Sequence, residues 1–231
     1  MSGADAALVV DIDGTLVDSN YQHVVAWSRA FADAGAPVPG HRLHAVMGMG
    51  GDKLVAEVLG GAAEQTLGDR IRRRWKEEFD GLLAEVRPLP AAAELLAAAR
   101  ARGVAVVLAT SGKPDHTRHA LGLLGLDEDS YPLATSEEVD ATKPDGDLVS
   151  VALRKVGCDR GLMLGDTVWD VLAAREVGIA TVGLLTGGIS RETLLAGGAV
   201  EVRTDARDLL AHLDDVLGAG MDREPSGTGA S

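Results

Sequence analysis

Hydrophobic residues follow two patterns that alternate along this chain. Short, almost continuous apolar runs are typical of strands that are buried on both faces. These runs are "ALVV", "VAVVLAT", "GLMLG", "ATVGLL" and "AVEV". The stretches that alternate with them have helical spacing and include "AAAELLAAARARG", "DHTRHALGLLGL", "GDLVSVALRKVG", "WDVLAAREVG" and "ARDLLAHLDDVL". This order predicts an α/β protein with a parallel sheet, right-handed crossovers and helices on both faces.

One long segment breaks the alternation. From about residue 19 to residue 87 only helical spacing is found, for example in "NYQHVVAWSRAFADAG" and "LGDRIRRRWKEEFDGLLAEV". A segment of this length is about the size of a small helical domain. The sequence therefore predicts a core formed by residues 1–18 and 88–217, with a helical cap inserted at 19–87. Residues 218–231 are rich in Gly and Ser and predict a disordered tail.

Composition and charge exclude several classes of partner. The chain has 231 residues and a formal net charge of −13, which argues against a nucleic-acid or anionic membrane partner. No apolar run is long enough to span a bilayer, and "MSGADAALVV" lacks the basic region of a signal peptide. The single cysteine, Cys158, cannot form an internal disulfide, which fits a reducing cytoplasm. We expect a cytoplasmic protein whose oligomeric state, monomer or homodimer, the sequence leaves open.

Polar side chains follow the predicted strands where each strand ends. In parallel sheets, ligands bind beyond the carboxyl ends of the strands. Neighbouring carboxylates repel and raise each other's pKa unless a cation or a reaction needs both. Converging carboxylates that stay ionised call for a hard divalent cation, Mg²⁺ before others. The side chains expected at this edge are those of Asp11, Asp13, Thr110, Ser111, Lys143, Asp166 and Asp170.

Four short segments carry a resemblance to a known family. "DIDGT", "LATS", "TKP" and "GDTVWD", in this order, resemble the four motifs of the haloacid dehalogenase (HAD) superfamily, more closely its phosphatase branch with a helical cap. The resemblance covers nearly all of the chain before the predicted tail. It implies a Rossmann-like core with an inserted α-helical cap. It also implies Mg²⁺-dependent hydrolysis of a phosphomonoester.

The resemblance implies a catalytic role for each matching residue. Asp11 would be the nucleophile that forms an aspartyl-phosphate, and Asp13 would act as general acid and then as general base. Thr110 and Ser111 would hold a phosphoryl oxygen through the Thr110 hydroxyl and the backbone N–H that follows it. Lys143 would neutralise charge on the nucleophile and the phosphate.

The resemblance also implies a metal site. Asp11, Asp166 and the backbone carbonyl of Asp13 would ligate Mg²⁺. Asp170 would lie beside the metal or orient Lys143. These roles together predict a phosphatase that acts on a small soluble phosphomonoester, such as a sugar phosphate or phosphoglycolate.

Two other functions remain open at this stage. A β-phosphoglucomutase-like activity is an alternative because His23 matches the offset of a proton-shuttling histidine in hexose-phosphate mutases. The mutase pattern also expects an arginine in the cap loop, but "MGMGGDKL" offers only Lys53. A non-catalytic relative is disfavoured because no motif position is lost.

The segment 19–87 holds the candidate substrate contacts. We predict that His23 lines the cap entrance as a candidate substrate contact. The segment "GMGGDK" is too glycine-rich for an ordinary helix, so Gly50, Gly51 and Lys53 either contact the substrate or form a plain turn between helices. The basic stretch "RIRRRWK" is surrounded by acidic residues and is interpreted as a solvated helix face.

Overall fold

Strands and helices alternate through most of the computed structural model, which describes residues 6–139 and 141–221. The strands are β1 (Ala7–Val10), β2 (Val17–Asp18), β3 (Arg87–Pro88), β4 (Ala105–Thr110), β5 (Leu133–Thr135), β6 (Gly161–Gly165), β7 (Ala180–Leu184) and β8 (Glu201–Arg203). The helices are α1 (Asn20–Asp33), α2 (Gly40–His44), α3 (Gly51–Leu59), α4 (Gly61–Asp80), α5 (Ala92–Ala101), α6 (Pro114–Leu123), α7 (Asp147–Val156), α8 (Val168–Glu176), α9 (Arg191–Gly197), α10 (Ala206–Ala211) and α11 (Leu213–Met221). Within the described ranges, no helix has the length and apolar character needed to cross a membrane.

Six strands form one parallel sheet in the order β5-β4-β1-β6-β7-β8. β1 lies inside this sheet, where Ala7 pairs with Ala105 of β4 on one side and with Gly161 of β6 on the other. All four residues of β1 are buried. A strand with sheet neighbours on both sides and helices above and below has no polar face, which explains its continuous apolar sequence. The predicted α/β fold is confirmed.

The two faces of the sheet pack against different helices. Leu8 and Val10 of β1 belong to a core that includes Leu96 of α5 and Leu213 of α11. Val9 points to the opposite face and belongs to a second core with residues of α7 and α8. This alternation follows from the two-residue period of a strand. Each fully buried Val or Leu side chain contributes about 1.5–3 kcal/mol to this packing.

Helices α1–α4 lie between β2 and β3, and we call them the cap helices. β2 and β3 form a separate antiparallel pair in which Val17 is opposite Pro88, so the chain leaves and re-enters the core at one place. An aromatic cluster forms where α1 packs on α4: the ring centroids of Trp27 and Trp75 are 4.9 Å apart. The helical spacing of segment 19–87 therefore corresponds to real helices, and its exact limits as a domain stay a prediction.

The carboxyl-terminal helix is longer than the sequence indicates. Residues 218–221, which the composition assigns to a disordered tail, continue α11 as far as Met221. Gly220 lies so close to Leu162 of β6 that an added Cβ would be 2.9 Å from that side chain. The small glycine lets the helix pack directly on the sheet, a feature that composition does not reveal. The rest of the predicted tail, 222–231, lies outside the described residues.

Truncation of a buried strand residue tests the packing of the sheet. Leu164 on β6 is fully buried, so Leu164→Ala should lower the free energy of unfolding by about 2–5 kcal/mol through lost apolar contact and a residual cavity. The matched control is Leu195→Ala, because Leu195 is 45% exposed and should change stability by less than about 0.5 kcal/mol. Urea unfolding of both variants measures the difference. Equal losses would contradict the assignment of β6 to the core.

Candidate active site

The parallel pairing of three strands gathers the polar side chains that the sequence predicts. β1 pairs with β4 and with β6, so the carboxyl ends of all three strands meet at one edge of the sheet. Asp11 follows β1, and its backbone N–H donates to the Leu164 carbonyl at 2.9 Å. Thr110 is the last residue of β4, and Asp166 follows β6 directly. Residues that are far apart in sequence therefore become neighbours.

Lys143 lies between two of the carboxylates. Its side chain is almost completely buried, and its Nζ donates to Asp11 Oδ1 and lies 2.6 Å from Asp170 Oδ1. Burial lowers the pKa of the Lys143 ammonium, but the attraction of Asp11 and Asp170 outweighs burial and raises the pKa above its usual value. The ammonium is therefore a fixed positive charge at the end of β1.

Asp166 joins the two carboxylates that contact the ammonium to form a buried cluster of three. Oxygen atoms of Asp11, Asp166 and Asp170 all lie within 4.8 Å of one another. Burial, only partly offset by Lys143, raises the pKa of Asp11 to about 7. Burial and the charges of Asp170 and Asp11 also raise the pKa of Asp166 well above its usual value. Such excess negative charge in a buried oxygen-rich cluster fits a divalent cation.

Two hydrogen bonds fix the Asp166 carboxylate in this cluster. The Thr15 hydroxyl donates to Asp166 Oδ1 at 2.9 Å, and the Asn20 amide donates to Asp166 Oδ2 at 2.7 Å. Sequence reasoning missed both donors. Their partner is more than 140 positions away in the chain, so no local pattern could have identified them.

The Asp13 carboxylate is not part of this cluster and faces the cap helices. Asp13 Oδ1 accepts a hydrogen bond from Ser19 Oγ at 2.6 Å, and His23 Nε2 lies 3.3 Å from the same oxygen. Burial alone would raise the pKa of Asp13, but the contacts with His23 and Ser19 lower it to about 2. In this conformation Asp13 is ionised and is linked directly to α1.

Thr110 and Ser111 offer hydroxyl groups beside the carboxylates. The Thr110 hydroxyl oxygen accepts a hydrogen bond from the Gly112 backbone N–H at 2.9 Å. The Ser111 hydroxyl is buried and has no hydrogen-bond partner among the described residues. A buried hydroxyl without a partner is costly, so a ligand oxygen at this position would be favourable.

The loop before α3 contacts the loop that carries Lys143. The Gly50 N–H donates to the Lys143 carbonyl at 3.1 Å, and Thr142 donates to Asp52. Lys53, a predicted substrate contact, lies in the first turn of α3 and forms an ion pair with Asp145. Of the glycines predicted to contact the substrate, Gly51 lines the cavity and Gly50 makes the contact between the two loops. This loop therefore joins the cap helices to the reactive edge.

A cavity of about 730 Å³ lies between the cap helices and the end of the sheet. Its walls include Asp11, Asp13, His23, Thr110, Ser111 and Lys143, which the sequence predicts for the site. The basic stretch of α4 also borders this cavity, while its Arg72 and Lys76 side chains remain partly exposed and paired with acidic residues, which is compatible with a solvated face. Its members Arg72, Arg73, Trp75 and Lys76 line the cavity. Ile71 and Trp75, one turn apart, bury one face of α4, and this packing fixes the helix beside the cavity.

Fold and site together define a parallel α/β protein whose reactive edge holds buried carboxylates around a lysine. A family model described as haloacid dehalogenase-like hydrolase matches residues 6–178. The match extends over more than half of the chain, which therefore belongs to the haloacid dehalogenase-like hydrolases. The resemblance noted in the sequence is confirmed, and so is the prediction of a hydrolase.

Three similar proteins show how far the similarity extends. The chain is 31% identical over 223 residues to a phosphoglycolate phosphatase from Rhodospirillum rubrum, covering 92% of this chain and 90% of the relative. It is 27% identical over 216 residues to an N-acetylmuramic acid 6-phosphate phosphatase from Pseudomonas aeruginosa, covering 91% and 96%. The crystal structure of a hydrolase from Pseudomonas syringae superposes with a TM-score of 0.85 at 34% identity, covering 91% and 99%.

Replacement of Gly50 tests the contact between the cap loop and the core. A Cβ atom at this position would overlap the Thr142 side chain, so Gly50→Ala should displace the loop and lower the free energy of unfolding by about 1–3 kcal/mol. The control is Gly61→Ala at the start of α4, where nothing lies within 4 Å of an added Cβ. Urea unfolding should show no loss for the control. A Gly50→Ala protein as stable as the control would refute the close approach.

Proposed function

We propose that this protein is a Mg²⁺-dependent phosphatase that hydrolyses a small soluble phosphomonoester through an aspartyl-phosphate on Asp11. The observation that carries this proposal is the position of Lys143, whose ammonium contacts Asp11 beside a cavity that also presents Thr110 and Ser111. The curated relatives described above are phosphatases, which supports the same reaction. The cavity volume of about 730 Å³ fits a phosphorylated metabolite.

The first chemical step uses Asp11 and Asp13. A carboxylate oxygen of Asp11 attacks phosphorus, forming an Asp11 O–P bond while the ester P–O bond breaks. Asp13 gives a proton to the leaving alcohol oxygen. In the conformation described above the Asp13 carboxylate is ionised and held by Ser19 and His23, so Asp13 must bind a proton before the alcohol leaves.

The second step reverses the proton transfer. Asp13, now ionised, removes a proton from the water that attacks the phosphorus of the aspartyl-phosphate. The P–O bond to Asp11 then breaks and inorganic phosphate leaves. Splitting one displacement into two easier ones is the benefit of a covalent intermediate.

Lys143 and the two hydroxyl residues hold the transferring group. The Lys143 ammonium compensates the charge on Asp11 and on a phosphoryl oxygen. The Ser111 hydroxyl, without a partner among the described residues, can donate to another phosphoryl oxygen, and Thr110 supports the turn through Gly112. Asp170 keeps the ammonium in place through its 2.6 Å contact.

The carboxylate cluster fits Mg²⁺. Asp11, Asp166 and Asp170 supply buried oxygen atoms within 4.8 Å of one another, and hard oxygen donors are what Mg²⁺ prefers. The Asp13 carbonyl remains a predicted further ligand. When bound, Mg²⁺ supplies positive charge that neutralises the carboxylates and the phosphoryl oxygens.

A mutase function is not favoured. The mutase pattern expects an arginine in the cap loop to hold a second phosphate. Lys53 is the cation available in that loop, and its Nζ is engaged with Asp145. The curated relatives named above are phosphatases, which also supports hydrolysis.

Loss of the Asp11 carboxylate tests the nucleophile. Asp11→Asn should reduce turnover of p-nitrophenyl phosphate in the presence of Mg²⁺ by at least about 10³-fold, because an amide is a poor nucleophile. The matched control is Asp129→Asn at an exposed position, which should keep wild-type activity. Release of p-nitrophenol measures both variants. Substantial activity in Asp11→Asn, with its fold intact, would rule out the proposed mechanism.

The raised pKa values predict how Mg²⁺ binding depends on pH. In the metal-free protein the pKa of Asp11 is about 7, above the ordinary 3.8, so its proton stabilises the folded state at low pH and is lost as the pH rises through about 7. Mg²⁺ needs the ionised carboxylates and must displace this proton below that pH. Mg²⁺ should therefore raise the Tm more at about pH 8 than at about pH 6.

Thermal unfolding with and without Mg²⁺ at both pH values measures this effect. Asp166→Asn should abolish most of the Mg²⁺-dependent shift, because it removes one ligand. A shift in the wild type that does not depend on pH would contradict the proposed ligands.

A further inference from the structure

The alcohol part of the substrate must lie beside the cap helices if the proposed function is correct. Asp13 delivers a proton to the leaving oxygen, so the rest of the alcohol begins next to that carboxylate. His23 lies 3.3 Å from Asp13, and its ring stacks on Phe79 and on Trp75 at centroid distances of 3.8 and 5.6 Å. Trp75 is therefore separated from the reacting atoms by one side chain.

The cavity is large for a short alcohol. A volume of about 730 Å³ lies within the range of roughly 300–1,000 Å³ that is typical of pockets for ligands of many atoms. Its cap side includes apolar and aromatic side chains, namely those of Trp27, Met47, Met49, Leu54 and Trp75. These side chains are at most 8% exposed because they pack in the core, and they present only their remaining edges to the cavity. A ring with apolar C–H faces would cover them.

The charges around the cavity favour a neutral alcohol. The half-buried Arg72 is paired with Glu64 and Asp69, and Lys76 is paired with Asp80. The buried Lys143 is paired with Asp11 and Asp170, as described above. Among the described residues that line the cavity, the cations without an ion pair are the exposed Arg73 and Lys113. A carboxylate on the alcohol would thus find no buried cation to hold it.

Trp75 provides a hydrogen-bond donor that needs an acceptor. The residue is 8% exposed, and its Nε1–H has no acceptor among the described residues. Near-parallel rings pack beside it, with Trp27 at 4.9 Å and His23 at 5.6 Å. Its faces are thus occupied by other rings, whereas a buried N–H without an acceptor is unfavourable. An oxygen of the ligand in the cavity would satisfy it.

We propose that Trp75 determines specificity by donating its indole N–H to an oxygen of a neutral, ring-shaped polyol. The preferred substrates are then monophosphates of sugars or cyclitols rather than of a short carboxylic acid such as glycolate. This inference rests on the proposed phosphatase function and names the substrate class of the same site.

A comparison of substrates tests the inference on the unmodified protein. The ring esters are glucose 6-phosphate and myo-inositol 1-phosphate, the short acid is 2-phosphoglycolate, and p-nitrophenyl phosphate reports phosphoryl transfer itself. We expect kcat/KM for at least one ring ester to exceed that for 2-phosphoglycolate by at least about tenfold. If the protein hydrolyses p-nitrophenyl phosphate but prefers 2-phosphoglycolate to the ring esters, the substrate class is wrong and the phosphatase function stands. No turnover of any ester would overturn the phosphatase function and this inference with it.

A single substitution tests the donor. Trp75→Phe keeps an aromatic ring and removes the N–H, so KM for the preferred ring ester should rise about tenfold while kcat for p-nitrophenyl phosphate changes less than about twofold. The matched control is Trp169→Phe, because Trp169 also has a buried Nε1–H without a partner among the described residues but does not line the cavity. The control should leave the ratio of the two specificity constants unchanged.

The effects of Trp75→Phe on the two substrates decide whether Trp75 recognises the substrate or only supports the structure. An equal loss for both substrates in Trp75→Phe, or an unchanged KM for the ring ester, would overturn the assignment of Trp75. Should Trp75→Phe fail to fold, the substrate comparison on the unmodified protein still decides the substrate class.

Discussion

The contact of the Lys143 ammonium with Asp11 and Asp170 is the interaction on which the rest of this site depends. A buried charge is unfavourable unless it is paired, and replacing buried ion pairs with apolar residues often costs nothing in stability. Here two buried carboxylates contact one ammonium and a third, Asp166, lies within 4.8 Å of them, so negative charge remains in excess. Stability of the fold does not explain such an arrangement. A site that binds a cation and transfers an anionic group does explain it.

The sheet makes this arrangement possible, and the cap helices complete it. Parallel pairing of β1 with β4 and β6 fixes three strand ends at one edge. The cap helices and the loop before α3 then approach that edge through Asn20 at Asp166, through His23 at Asp13 and through Gly50 at the loop of Lys143. In the proposed mechanism the reacting groups belong to the core, whereas the surface that contacts the alcohol belongs largely to the cap helices. The proposal thus assigns chemistry and specificity to different parts of the chain.

Much of the core could be predicted from the sequence because its signals are local. Buried strands have continuous apolar runs, and the polar residues that follow them, such as Asp11 and Asp166, must lie at the same edge of a parallel sheet. The pairing of Lys53 with Asp145 could not be predicted, since it joins the first turn of α3 to a loop 92 positions away. The position of "RIRRRWK" at the edge of the cavity could not be predicted for a similar reason. Its charges and acidic neighbours are typical of a solvated helix, and only the packing of α4 on α1 turns part of it toward the cavity.

The central claim is that Asp11 accepts the phosphoryl group. The most direct measurement is acid quenching of the protein during turnover of a ³²P-labelled ester, followed by proteolysis and identification of the labelled peptide. The account predicts acid-stable, base-labile label on the peptide that contains Asp11, and its absence from Asp11→Asn. Turnover in the wild type with label on another residue would contradict the account.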